Sequence, residues 1–235
     1  MARKKATRGN CIYCGKEYTR GGMSRHLAAC SERQTALDQA PNGRARSGTI
    51  YHLQVQDAWG GDFWLHLEMP GWQKLQQLDS YLRAIWLECC GHLSGFTISN
   101  VFYTQLLDGG MGWREERDMN VAVGRLFAPG MEIPYEYDFG TTSELTIKVV
   151  REREGKWQGN PIKLMARNKL MDLECANCGK PAEFICNDCM WDQEEWLYCE
   201  ACLDEHEHGD EMAMPIVNSP RMGMCGYVGP AEPPY

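Results

Sequence analysis

Twelve cysteines and six histidines hold most of the chemistry open to this 235-residue sequence. Near the N-terminus, Cys11-x2-Cys14 is followed by His26-x3-Cys30. Two cysteines at that separation sit on one knuckle and grip an ion from one side. A histidine and a cysteine four apart share a helix face and close a tetrahedron from the other. Toward the C-terminus come three more pairs, Cys175-x2-Cys178, Cys186-x2-Cys189 and Cys199-x2-Cys202, trailed by His206, His208 and Cys225. Three pairs cannot be shared evenly between two four-coordinate ions. A fourth pair is needed, and His206, His208 and Cys225 are the candidates for it. The expected cofactor is Zn2+, about three ions per chain.

The first constellation resembles a ββα zinc finger with a terminal cysteine in place of the second histidine. Tyr18 and Met23 stand where such a finger keeps its few core residues, one residue closer together than is usual. Arg3, Lys4, Lys5, Arg8, Lys16, Arg20 and Arg25 surround it, a cluster that attracts phosphate backbones. DNA or RNA is therefore an expected partner of residues 1–48. One finger covers about three base pairs, so that binding is expected to be weak and salt-sensitive. The second constellation resembles cross-braced double-zinc modules of the B-box and MYND sort. The resemblance implies that Cys175, Cys178, Cys199 and Cys202 hold one ion. Cys186 and Cys189 would hold the other, with two of His206, His208 and Cys225.

Composition bounds the rest. Mean hydropathy is −0.48, and no apolar run approaches the roughly 20 residues of a membrane span, so no membrane partner is expected. The N-terminus is basic without an apolar core behind it, unlike a secretory signal. Twelve cysteines in an unsecreted chain read as metal ligands in a reducing, cytoplasmic setting rather than as a disulfide framework. The net charge of −8 hides two opposed ends. Residues 1–48 carry ten Lys/Arg against three Asp/Glu, whereas residues 171–235 carry two against fourteen. The acidic end repels nucleic acid and suits a protein partner.

Between the metal segments the pattern is that of an α+β domain. Residues 49–57 and 62–69 read as two strands joined across Gly60-Gly61. Leu75, Leu78, Leu82, Ile85 and Trp86 mark one face of an amphipathic helix over 74–88. Residues 96–104, 121–127 and 146–151 are further strand candidates, and 154–174 reads as a connector. The expected division is a basic finger over 1–34, a linker over 35–47, the α+β domain over 48–165 and an acidic two-zinc module over 171–235.

Five segments recur in an order that resembles the plasmid pRiA4b ORF-3-like domain. They are Tyr51-His52-Leu53-Gln54-Val55, Phe63-Trp64-Leu65-His66-Leu67, the helix through Leu78 and Leu82, Gly91-His92-Leu93-Ser94-Gly95-Phe96-Thr97-Ile98, and Tyr135-Glu136-Tyr137-Asp138-Phe139-Gly140. Residue 141, usually acidic there, is Thr141. The resemblance implies a largely antiparallel sheet with packed helices. Some members of that family are labelled as passengers of mobile elements, and the family carries no settled activity.

Asp138-Phe139-Gly140 lacks the Gly-rich loop, strand lysine and His-Arg-Asp loop of a kinase, and reads as a strand-end turn. His92, Tyr137 and Asp138 form the one polar set that could converge in a cleft. Cys89, Cys90 and His92 could contribute to a further metal or redox site. At the end of an amphipathic helix, however, the two cysteines are read as partly buried small apolar groups. No nucleophile–base pair can be named, and no catalytic residue is assigned. The expected function is that of a non-enzymatic zinc protein tethering its central domain to a nucleic-acid-associated or protein partner. The rival reading is an enzyme with its site in that domain and zinc as scaffold.

Overall fold

A computed structural model describes residues 6–39, 45–105, 115–192 and 194–230. Its centre is β3 (Arg46–Asp57), a twelve-residue strand paired antiparallel with β4 (Trp64–Pro70) on one side and β9 (Ser143–Trp157) on the other. The β3–β4 turn is tied by one carboxylate. Asp57 accepts hydrogen bonds from the backbone N–H groups of Gly60, Gly61 and Phe63 at 2.7–2.8 Å. Beyond β9 follow β8 (Glu132–Tyr137), β5 (Ser94–Ile98), β6 (Val101–Thr104) and the short β7 (Glu116–Asp118), the last parallel to β6. β10 (Lys163–Asn168) lies against the other edge of β4. The expected α+β domain with a mainly antiparallel sheet is what forms.

The alternation in β9 builds the core. Leu145, Ile147 and Val149 point inward beside Ile133, Tyr135 and Tyr137 of β8 and Tyr51, Leu53 and Val55 of β3. α3 (Leu75–Leu82) closes this face with Leu75, Leu78 and Leu82, and a π turn over Arg83–Leu87 extends it, burying Ile85 and Trp86. Burial of such side chains contributes about 1.5–3 kcal/mol each.

Three expected elements differ. Residues 96–104 are two strands, because Ser99 and Asn100 both take left-handed conformations (φ 49° and 65°) and turn the chain back on itself. Residues 121–127 form no strand. Gly124 N–H bonds the Gly71 carbonyl at 2.8 Å, and Val123–Arg125 coils into a 3-10 turn against the exit of β4. The apolar run is there, but a backbone contact bends it. Within 154–174, β9 continues to Trp157 and β10 is a strand, with Leu164, Met165 and Ala166 all buried, so no alternation marks it.

The N-terminal segment continues the same sheet. β1 (Arg8–Cys11) pairs with β10 and with β2 (Glu17–Thr19). Gly9 is required there, since a Cβ would come within 2.0 Å of the Arg167 carbonyl oxygen. α1 (Arg20–Ala29) and α2 (Ser31–Asp38) follow, so helix occupies residues where a linker from 35 was expected. Met23 and Leu27 of α1 pack on Trp64 and Met165, covering the sheet face opposite the main core. All seven residues of β4 are buried for this reason.

His52 and His66 lie in that second layer. The Arg20 carbonyl can only accept from His66 Nε2 (3.3 Å), so His66 Nδ1 must accept from His52 Nε2 (2.8 Å), and both rings are neutral. Burial, with His66 and nearby arginines adding to it, drives His52 down to about 2, and burial drives His66 down to about 4. A histidine depressed in the folded state binds protons only when unfolded. Stability present above an unfolded pKa near 6.5 is therefore lost as pH falls through about 6.5 toward 4. Relative to a His52→Gln/His66→Leu double variant, the wild type should lose about 2–3 kcal/mol between pH 7.5 and 5.5. Urea unfolding at the two pH values measures this, and metal-ligand protonation common to both proteins cancels in the difference. Equal pH slopes would mean that the pair titrates normally in the native state.

Candidate metal centres

Cys11 ends β1 and Cys14 lies on the turn before β2, while His26 and Cys30 come from α1 and the residue after it. The turn is tight because Gly15, with φ 70°, donates its N–H to the Cys11 carbonyl. The four ligand atoms lie within 4.8 Å of one another, with Cys14 Sγ 3.2 Å from His26 Nε2. Tyr18 stacks on the His26 ring at 4.3 Å between centroids and fixes its plane.

The C-terminal segment forms its own small sheet, β11 (Phe184–Cys186) between β12 (Leu197–Tyr198) and β13 (Ala213–Pro215), with α4 (Asn187–Asp192) and α5 (Glu200–Leu203). Cys175, Cys178, Cys199 and Cys202 converge in one group, and Cys186, Cys189, His206 and His208 in another. Cys178 and Cys199 sulfurs are 3.6 Å apart. Cys186 and Cys189 reach His208 Nδ1 at 3.3 and 3.5 Å, and Cys189 reaches His206 Nε2 at 3.3 Å. A tetrahedral zinc with Zn–S of about 2.3 Å and Zn–N of about 2.0–2.1 Å sets edges of about 3.8 Å between sulfurs and about 3.5 Å between sulfur and nitrogen. These separations match such edges to within a few tenths of an ångström, and the groups could hold metal ions. Burial opposes ionisation of Cys175, but the backbone N–H groups of Cys199, Cys178 and Asn177 outweigh it and bring the thiol down to about 6. That is a thiolate prepared for a cation.

Cys225, a candidate for the last C-terminal pair, lies elsewhere. The tail after β13 runs back over the central sheet. The Asn218 side chain exchanges hydrogen bonds with Asn168 at 2.8 Å, and Ser219 Oγ donates to the Trp86 carbonyl at 2.6 Å. Cys225 consequently joins Cys89, Cys90 and His92 in a fourth group within the same 4.8 Å limit. Cys90 is exposed rather than partly buried, whereas Cys89 packs against the core as a small apolar side chain would. The sequence signal was a Cys-Cys-x-His run whose fourth ligand lies 133 residues beyond the histidine, too remote for spacing to suggest.

The polar set around Asp138 does converge. His92 Nδ1 stands 3.4 Å from Asp138 Oδ1, and its ring meets Tyr137 edge-on at 5.7 Å. Asp138 ends β8 in a left-handed turn (φ 64°) and accepts from the N–H groups of Gly140 and Thr141. Arg221, wholly buried, donates to Asp138 Oδ2 at 2.6 Å and to the Thr141 carbonyl at 2.6 Å. Burial pushes the Asp138 carboxyl up, but the Arg221 guanidinium and the two turn N–H groups outweigh it and hold it below its ordinary value.

Of the basic residues, Arg3, Lys4 and Lys5 lie outside the described residues. Arg8 pairs with Glu17 at 3.0 Å and Arg20 donates to the Gly61 carbonyl at 3.2 Å, while Lys16 and Arg25 are exposed. Among the described residues no helix is long and apolar enough to cross a membrane.

No protein family's sequence profile and no curated protein matches the chain. Among the solved structures similar to it is a protein of unknown function, MM3350, from Methanosarcina mazei Go1. It is 15% identical, with a TM-score of 0.45, over 69% of this chain and 85% of that one.

Proposed function

We propose that this chain is a non-enzymatic zinc-binding interaction protein. A pRiA4b ORF-3-like α+β domain (48–165) is carried between an N-terminal finger (1–34) and an acidic two-zinc module (171–235) that engages a partner. The observation that carries the reading is ligand number. The finger group and each C-terminal group bring four protein donors together, whereas a catalytic ion keeps an open position. Thiolate-rich sets of this kind suit zinc, which here would replace the apolar core that about 60 residues cannot build alone.

A cavity of about 390 Å3 opens between Tyr13, Leu37, Glu68 and Ile162. Its carboxylate is already committed, since Glu68 takes Arg33 at 2.5 Å and Arg153 at 2.9 Å. The partner we favour is a protein with a basic surface. α1, the helix a DNA-reading finger would insert into a groove, spends Met23 and Leu27 on the sheet, while the module presents Trp191, 55% exposed, between Asp188 and Asp192 on α4.

Capture on the full chain from native cells, with and without nuclease, tests this. A protein partner should survive nuclease and be lost at high salt and with Trp191→Ala. Anisotropy titrations of labelled DNA and RNA supply the other arm. Binding should be weak, falling with salt at a log–log slope of about −0.9 per phosphate neutralised. Tight, sequence-selective binding of either would reverse the choice of partner.

A further inference from the structure

We infer that Cys89, Cys90, His92 and Cys225 form a fourth metal site, a three-thiolate, one-imidazole centre for a zinc-like ion, that latches the C-terminal tail onto the central domain. The inference adds to the three-ion reading and stands or falls separately from it.

The sulfur–sulfur distances are those of a coordination shell. Cys90 Sγ lies 3.8 Å from Cys89 Sγ and 3.7 Å from Cys225 Sγ, close to the sulfur–sulfur edge of about 3.8 Å that a tetrahedral zinc requires. His92 Nε2 lies 2.9 Å from Cys90 Sγ and 3.3 Å from Cys225 Sγ. A disulfide would need sulfurs about 2.05 Å apart, so neither cysteine pair is bonded. The ligands are also held from behind. With Nε2 turned to the sulfurs, His92 offers Nδ1 to Asp138, the carboxylate–histidine pairing that fixes ring and tautomer in metal sites. Arg221 holds Asp138 and also points Nη2 at Cys89 Sγ, 3.6 Å away, where a guanidinium stabilises a thiolate. The turns fit the purpose. Gly91 (φ 83°) lets Cys90 and His92 face the same point, and Cys225 itself is left-handed (φ 50°) between Gly223 and Gly226, a costly conformation for a cysteine unless something holds it.

What sets this group apart is where its ligands come from. Cys11 to Cys30 and Cys175 to His208 each span one local segment, whereas this group closes a loop of more than 130 residues. An ion here ties the segment beyond β13 to the end of the α3 extension. Cys90 and Cys225 are exposed, unlike Cys11, Cys175 or Cys186. The latch is thus the site most open to exchange with solvent, and release of its ion would loosen the segment beyond Arg221 without dismantling the other centres.

The test uses the full-length protein loaded with zinc alone. Elemental analysis should give four zinc per chain, and three for both Cys225→Ser and Cys90→Ser, with chymotrypsin cleaving after Tyr227 at least tenfold faster in the variants. In the wild type, iodoacetamide should leave Cys90 and Cys225 unlabelled until a chelator has removed the first equivalent, and then label them before any other cysteine. This arm needs no variant to fold. Rapid labelling of Cys90 and Cys225 in the zinc-loaded wild type, or variants that retain the wild-type zinc content, would overturn the latch. Loss of protection at Cys11 or Cys175 instead would count against the three-ion reading and leave the latch to be judged on its own cysteines.

Discussion

Cys199→Ser should unfold residues 175–213 while leaving the central sheet intact. Cys199 caps the start of α5, donates ligand geometry to the first C-terminal group, and carries the N–H that bonds to Cys175. The module's buried apolar side chains are few, Ile185, Tyr198, Leu203 and Met214, with Phe184, Trp196 and Met212 partly covered, and four buried cysteines complete the cluster. Such a core cannot hold three strands of two or three residues together. Binding of a structural zinc contributes about 10–16 kcal/mol in small zinc domains, and that energy is folding energy. Removing one thiolate forfeits enough of it to tip the module into the unfolded ensemble. Limited proteolysis followed by mass mapping should find cleavage throughout 175–213 in the variant, with 46–168 protected. A variant module as protease-resistant as the wild type would remove the metal from the list of what folds it.

The second large effect is at Arg221. Its guanidinium is fully buried against Asp138, the Thr141 carbonyl, Ser143 Oγ and the Cys89 sulfur. Arg221→Met removes one member of a buried ion pair and leaves the Asp138 carboxylate with the turn N–H groups and His92 but without its counter-charge. Breaking such a pair costs about 3–5 kcal/mol. Tm should fall accordingly, and the tail should loosen because it loses one of its anchors, leaving Asn218, Ser219 and the Cys225 contacts to hold it. Arg221→Met/Asp138→Asn should recover part of the loss, since the uncompensated charge is gone and asparagine tolerates the left-handed turn at 138. A single variant as stable as the wild type, measured by thermal and urea unfolding, would mean that solvent reaches the carboxylate.

The candidate ligand groups were legible because the spacing that a tetrahedral ion asks for is written locally. Cys-x2-Cys on a knuckle and His-x3-Cys on a helix fix their ligand atoms within a few residues, and α1 and the turn at Gly15 supply that geometry. The α3 face and the β3–β4 hairpin were legible for the same reason, since one period or one glycine pair specifies each. The limits of the strands were harder. β10 is buried on both faces, so the alternation that marks a half-buried strand is missing, and 121–127 bends because Gly71 comes close from elsewhere.

The sequence by itself determined the donor types, the Cys/His pairs that converge into candidate groups and the apolar face that makes the α+β core. Only the tertiary structure decided that β1 extends the central sheet, that His52 and His66 share a neutral, hydrogen-bonded layer beneath α1, and that Cys225 lies with His92 rather than with Cys186. The physical reason is range. Knuckles, caps and periodic faces act over one to four residues and leave their signature in spacing. Sheet edges, buried ion pairs and a tail returning over 130 residues depend on which surfaces meet, and that is settled by how the layers pack.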